Sequence, residues 1–549
     1  MRRRQIVSPE KSVVASLALC ATSLLCSGCS SSSAAGGGTT IVPPPPQTTY
    51  YLDCSAVSDG SGTQASPWNS VNDVNGHVFA PGISLLIKSG TTCNGALQPL
   101  GSGASGSPVT INTYGTGAAP VINGGSSNQA LLLNNQSYWE INNLQITGGV
   151  TFGVFVTGNI DGAPLYHIYL KNLKVTGATG TSTNRVDSGE VFLQAYGNGQ
   201  TLNDILLDGV TAGSSQVSEG IVVNAGGGWV GGSGQPLGNN ITVQNSTAHD
   251  VYGDGILITG LTNGTIQNSV VYNSGLCPNC GGSTPVGLWE WFCHTCTIQY
   301  NESYSNHSWG GDGGDFDIDY YNTNNIVQYN YGHDSDGYCV AFFGAENTVD
   351  SNNIFRYNIC SNNARKAASA GQGDVFLATW DGGSLSGAQI YNNTFYWNPA
   401  APAPLLSETN ASYTGSLPNI FVNNIVYSTV PGMVSANSNF SLDNNIYWEE
   451  DGGSPQWLWN GQTYTGLTAY QAASAQDAQS LSADPLLVNP TDDATGMPAA
   501  AFTLQAGSPA LGAGTDVCAG IADCSMGTQD FFGNPLPAGG TGLNIGAYQ

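Results

Sequence analysis

The chain has 549 residues, 74 of them glycine, with only 9% charged and 11 Lys+Arg set against 37 Asp+Glu for a net charge of -26. So few cations cannot neutralise a row of phosphates, which excludes nucleic acid as a partner, and a polyanionic glycan would be repelled unless a cation such as calcium bridged the two. Scarce charged helix formers beside abundant glycine argue for strands and turns.

In chain order the first feature is an export signal. Arg2, Arg3 and Arg4 precede a short apolar run from Val13 to Leu25, too short to span a bilayer. The run ends in Leu25-Cys26-Ser27-Gly28-Cys29, which resembles a bacterial lipoprotein cleavage box, although Cys26 stands where such boxes prefer Leu. Residues 1–29 are therefore expected to be a lipoprotein-type leader with Cys29 lipidated, ordinary secretion being the alternative. Residues 30–48, Ser/Gly-rich and then Pro43 to Pro46, read as a tether. The chain is expected at the cell surface, in the periplasm or secreted, meeting a membrane only through a lipid anchor, as a monomer.

Cysteine usage agrees with export. Removing Cys20, Cys26 and Cys29 from the thirteen cysteines leaves ten. Cys54/Cys93, Cys339/Cys360 and Cys518/Cys524 pair by proximity. Cys277, Cys280, Cys293 and Cys296 have zinc-ribbon spacing, but an oxidising compartment favours two disulfides of open connectivity.

Residues 49–125 carry Tyr51-Leu52-Asp53, Ser66-Pro67-Trp68, Pro81-Gly82 and Ser107-Pro108-Val109-Thr110. From there a short strand phrase returns, ending at Asn245, Asn268, Asn301, Asn330, Asn358, Asn393 and Asn424, spaced by 23 to 35 residues. Weaker copies end at Asn143, Asn172 and Asp208. Each copy is too small to bury its own face, so stacked copies must supply the core, and the spacing is that of a solenoid without helices. Asn at the strand end suits a turn of unusual dihedrals whose amide bonds along the stack. A second strand recurs once per coil, opening at Gly189, Gly220, Gly255, Gly287, Gly314, Gly337 and Gly373. Residues 126–450 form the central region and 451–549 the last coils and a closing segment with Phe502 to Gln505, Asp530 to Gly533 and Gly546-Ala547-Tyr548.

On these residues the chain resembles the pectate-lyase-like superfamily from about residue 50 to its end. The resemblance implies an all-β, right-handed, single-stranded parallel β-helix, with a short N-terminal cap helix over Asn69 to Gly76. The superfamily closing segment usually ends in Glu, where this chain has Gln549. The resemblance fixes architecture and leaves activity open, since lyases, hydrolases, epimerases and adhesins share it.

The Gly314 strand bears the chemistry. Asp315, Asp317 and Asp319 alternate with Phe316 and Ile318, so period 2 puts three carboxylates on one face, neighbours about 6.5–7 Å apart. Such a cluster holds a cation or keeps a proton at a glycosidic oxygen; its bland reading is a solvated acidic ridge. Asp317 and Asp319 are the lead catalytic candidates, with Glu290 and Asp254 from adjacent coils, for a glycoside hydrolase that needs one acid and one base or nucleophile. No cofactor is required for that reaction. Trp289, Trp291, Trp380 and Tyr338 are candidate sugar platforms, and His249 and His333 candidate polar contacts. The competing reading is a polysaccharide lyase, with Asp312, Asp315, Asp317 and Asp319 as calcium ligands and Arg365 or Lys366 as base. A non-catalytic glycan-binding or adhesin solenoid is the third. In the first two cases the partner is a polysaccharide substrate.

Overall fold

The computed structural model describes residues 48–549 except 181–186, 217–218, 227–235, 278–283, 416, 492–495, 497–499 and 520–524. The leader with Cys29, the tether up to Gln47, and Cys280 and Cys524 lie outside the described residues. Among the described helices none is long and apolar enough to cross a membrane.

Successive coils add strands to three parallel sheets that form a right-handed β-helix. The glycine-strand sheet runs from Gln129–Asn134 to Gln456–Trp459. The asparagine-phrase sheet runs from Thr49–Leu52 to Phe440–Asp443, and the third sheet from Thr92–Asn94 to Ile446–Glu449. One long strand, Ile256–Gln267, passes straight through a corner and serves the first two sheets at once. Inward side chains repeat in register: Val191, Ile221, Ile256, Leu288, Phe316, Val340 and Val375 lie one above another and are fully buried. Each strand alone could bury nothing; stacked, each adds a core layer worth about 1.5–3 kcal/mol per large apolar side chain.

The corner after each asparagine phrase has two parts. Its first residue is left-handed: Asn245, Asn268, Tyr300, Tyr329, Tyr357, Asn392, Asn423 and Asn444 all have φ between 50 and 57°. The next residue points inward. Asn301, Asn330, Asn358, Asn393 and Asn424 each donate a backbone N–H to the side-chain oxygen of the next asparagine in the stack, ending at Asn445, at 2.9–3.0 Å. Their amide nitrogens also reach main-chain oxygens of the preceding coil. The phrases at Asn245 and Asn268 depart from this: there Asn takes the left-handed position and Ser246 and Ser269 take the inward one.

The ends are closed differently. At the start, helix Val71–Asn75 is capped by the Ser70 hydroxyl, which accepts from the Asn72 N–H, and Trp68 stacks on Tyr50 at 4.8 Å. At the finish, the hairpin Gln456–Trp459/Gln462–Thr465 is the one antiparallel strand pairing among the described strands, and helix Leu467–Ser474 follows it. Among the described residues from about 480 onward, no strand is added to the stack. Instead Phe502, Phe531, Ile545 and Ala547 return along the third sheet and cover Tyr331, Ile359, Ile425 and Ile446. That face is apolar in these coils, and the returning segment removes it from water.

Disulfides join Cys54–Cys93, Cys339–Cys360 and Cys293–Cys296, and Cys277 and Cys518 are also disulfide-bonded. Cys293 and Cys296 sit inside the coil beside Glu290, their ligand atoms within 4.8 Å of one another. The pair is oxidised, which replaces the zinc-ribbon reading for these two residues.

Candidate active site

Period 2 sorts the strand Phe316–Ile318. Phe316 and Ile318 enter the core, while Asp317 faces outward in register with Trp289 on one side and Ala341 on the other. Above it the outward column is apolar, through Leu257, Val222 and Phe192. Asp319 follows two residues on, part-exposed, its N–H bonded to the Glu290 carbonyl at 3.1 Å.

Asp317 is only 3% exposed. The Tyr338 hydroxyl donates to its Oδ2 at 3.3 Å, and its Oδ1 has no hydrogen-bond partner. Burial raises this carboxyl well above the usual range, and the charges of Asp319, Asp312 and Asp254 raise it further. Asp319 is pushed up to about 8 by desolvation, with Asp312, Asp254 and Glu346 adding and the Tyr320 N–H opposing. Tyr338 is driven well above its ordinary value by burial and by Asp312, Asp317 and Asp319. Asp312 approaches from the preceding loop in a left-handed conformation, φ 50°. Asp254 is fully buried and accepts from the Val286 N–H at 2.8 Å.

An aromatic rim borders Asp319. Trp291 meets Tyr320 edge-on at 5.5 Å, Tyr320 meets Trp380 at 6.1 Å, and Trp380 meets Phe343 at 5.3 Å. Trp380 is 40% exposed, the most open ring of the set. Trp289 packs partly buried against the apolar column.

Several expected members lie elsewhere. Glu290 is paired with Ile258 and Ile318, both core residues, so it points inward; burial raises it to about 8 against the opposing influence of Asn325. Asp315 also turns inward at the corner, accepting from the Ser335 hydroxyl at 2.6 Å and the Asn306 amide at 3.0 Å, so it does not join a ligand set with Asp317. The expectation of three outward carboxylates fails because strand alternation holds only from Phe316 onward.

His249 and His333 belong to the third sheet. They end a ladder of stacked rings, His249–Tyr272–Tyr304–His333, at 5.0, 5.2 and 4.9 Å. Burial alone would lower the His333 pKa, but hydrogen bonds to Asp334 and Glu302 outweigh it and bring it to about 9. Arg365 donates to the Asn362 side chain and the Asn398 carbonyl, and Lys366 donates to the Ser308 carbonyl and lies 5.9 Å over the Trp309 ring. Tyr338, expected as a platform, instead bonds Asp317, and Glu346, whose charge reaches Asp319, lies in a turn with no sequence signal.

No protein-family model matches the chain. It is 25% identical over 516 residues to the lacto-N-biosidase of Bifidobacterium longum subsp. longum, covering 72% of this chain. The match spans 30% of that relative, so the chain covers well under half of its length. Among solved structures, a GH136 lacto-N-biosidase from Eubacterium ramulus aligns over 75% of this chain and 67% of its own, at 16% identity and a TM-score of 0.45. Pectate lyase Pel9A aligns over 91% of this chain and 96% of its own, at 13% identity and a TM-score of 0.39. With its three parallel sheets and its stacked asparagines, the chain is a right-handed parallel β-helix.

Proposed function

We propose that the chain is a glycoside hydrolase acting on a neutral glycan outside the cell. The observation that carries this reading is the pair Asp317 and Asp319 on one outward face, each raised by burial and by shared negative charge. Two such groups ionise unequally: when one loses its proton, its charge holds the proton on the other. Glycoside hydrolysis uses that division, one carboxyl protonating the leaving oxygen and one carboxylate activating water or attacking the sugar. Asp317, nearly buried and with Oδ1 uncommitted, is assigned as the acid; Asp319, at the part-exposed rim, as the base or nucleophile. The Tyr338 hydroxyl fixes the Asp317 carboxyl, and the rings of Trp291 and Trp380 offer planes for a sugar. The identity to a lacto-N-biosidase supports the same class and nominates a glycan ending in lacto-N-biose as the first substrate to test.

The lyase reading needs a base beside the carboxylates. The hydrogen bonds of Arg365 and Lys366 go to Asn362, Asn398 and Ser308, which supports hydrolysis over elimination. If calcium binds, Asp312, Asp317 and Asp319 are the oxygen donors that suit it, and it would supply positive charge to hold substrate hydroxyls or carboxylates. The disulfides support the proposed export.

The test is incubation of the chain with an aryl lacto-N-bioside and with neutral and uronic-acid polysaccharides, following reducing ends and ultraviolet absorbance. New reducing ends without absorbance are expected; absorbance rising with cleavage would make the reaction an elimination. In parallel, activity and Tm unchanged by chelation would remove calcium.

A further inference from the structure

The outward column that carries Asp317 does not stop at the site. It continues in register through Ala341, Phe376, Ser407 and Ser435 to Leu458. Five strand spacings of about 4.8 Å make this about 24 Å. Toward the chain's start the same face is shut: Leu257 and Val222 are fully buried. Toward its end Ala341 and Ser407 are still buried, while Trp380 beside the column is 40% exposed and Leu458 at its far end 41%. The exposed surface on this side of the site therefore lies toward the C-terminal coils.

At the far end lies a groove of about 240 Å³ lined by Glu408, Ser435, Asn437, Leu458 and Asn460. Asn437 and Asn460 stand two residues beyond Ser435 and Leu458, the same offset that sets Asp319 beside Asp317, so both columns of the site reach the groove. The lining is what sugar hydroxyls need: amides and a carboxylate around one apolar side chain. Glu408 Oε1 accepts from the Asn437 amide at 2.5 Å. No Lys or Arg lines the groove, so it offers a uronate nothing to pair with.

We propose that this groove is a distal binding subsite for the glycan cleaved at Asp317 and Asp319, and that the protein takes neutral oligosaccharides laid along the face, longer than a disaccharide can span. The proposal rests on the hydrolase reading for what happens at the near end; binding at the far end stands on the groove itself.

The experiment measures binding, so that it does not depend on turnover. Neutral oligosaccharides of two, four and six sugars ending in lacto-N-biose are immobilised, and retention of the full chain carrying Asp317→Asn is compared with the same chain carrying Asn437→Ala and Asn460→Ala as well. Affinity is expected to rise about tenfold or more with length, and the asparagine replacements should erase the rise. Because both asparagines also bond within the chain, Leu458→Arg serves as a second variant, filling the groove from an exposed position. A length gain that survives both variants, or no gain with length, or no binding, overturns the subsite. Hydrolysis of the aryl disaccharide by the unaltered chain is followed separately. Its absence would sink the hydrolase reading while leaving the binding result to decide the groove.

Discussion

At the scale of single residues, the site is defined by which side of the strand a carboxyl falls on. Asp317 and Glu290 lie on adjacent coils, both buried and both raised, yet one faces the outer surface and the other the core. Asp317→Asn keeps the shape and removes the proton. We expect a loss in kcat of about 100-fold or more, with cooperative unfolding retained, by steady-state kinetics and thermal melts. Asp319→Asn should do the same if it is the base or nucleophile. Because Asp319 acts only when ionised and holds its proton up to about 8, while Asp317 is held well above the usual carboxylate range, the rate should rise as pH rises toward about 8. A rate that falls as pH rises toward that value would reverse the assignment. The outward placement of Asp317 was legible from the alternation in the sequence. That of Asp315 was not, because its side chain is claimed by Ser335 and Asn306 from the neighbouring ladder, partners the sequence does not bring near.

At the scale of the element, the repeated asparagine has two roles that the phrase alone does not separate. Asn330 accepts from the Asn301 N–H and side-chain amide, and donates to the Ile298 carbonyl and to Asn358. Asn330→Ala leaves those buried groups unpaired, which costs roughly 1–3 kcal/mol for each stranded group. Asn245 occupies a left-handed position, φ 51°, at an exposed corner, where its amide donates to Asp208 at 2.7 Å. Asn245→Gly keeps that conformation available and should change stability by about 0.5 kcal/mol or less. Urea denaturation of both variants decides it; equal losses would mean that the ladder is not what the inner asparagine supplies. The strands themselves were legible from phrase and spacing, since a short alternating strand can be buried only by its own repeats. The corner geometry was legible only as a preference.

At the scale of the whole molecule, buried acids set the dependence of stability on pH. Glu190, Glu290, Asp374 and Asp477 are raised by burial to about 7, 8, 7 and 6, against about 4 for an unfolded carboxyl. Between those values the folded chain binds more protons than the unfolded one, so stability falls as pH rises. His333, raised to about 9, acts in the same direction above its ordinary 6.5. Asp53, Asp250, Asp334 and Asp336 are lowered, and their stabilisation is lost only as pH falls below about 4. The melting temperature should therefore be highest near pH 4–5 and decline toward pH 8. Glu290→Gln, which cannot ionise, should match the parent at pH 5 and exceed it at pH 8. A Tm that rises between pH 5 and 8 would contradict this account.

The sequence by itself determined the architecture, because a strand phrase that cannot bury its own face must stack on its copies, and through alternation it put Asp317 on the outward face of the Gly314 strand. Only the tertiary structure decided which carboxyls share a surface, since that depends on corners where alternation breaks and on partners a whole coil away. It also decided that the last part of the chain returns along the third sheet, where an apolar face left by earlier coils had to be covered. And it joined Asp317 to a groove five strands distant, because register along a β-helix turns separations of many residues into a row of neighbours.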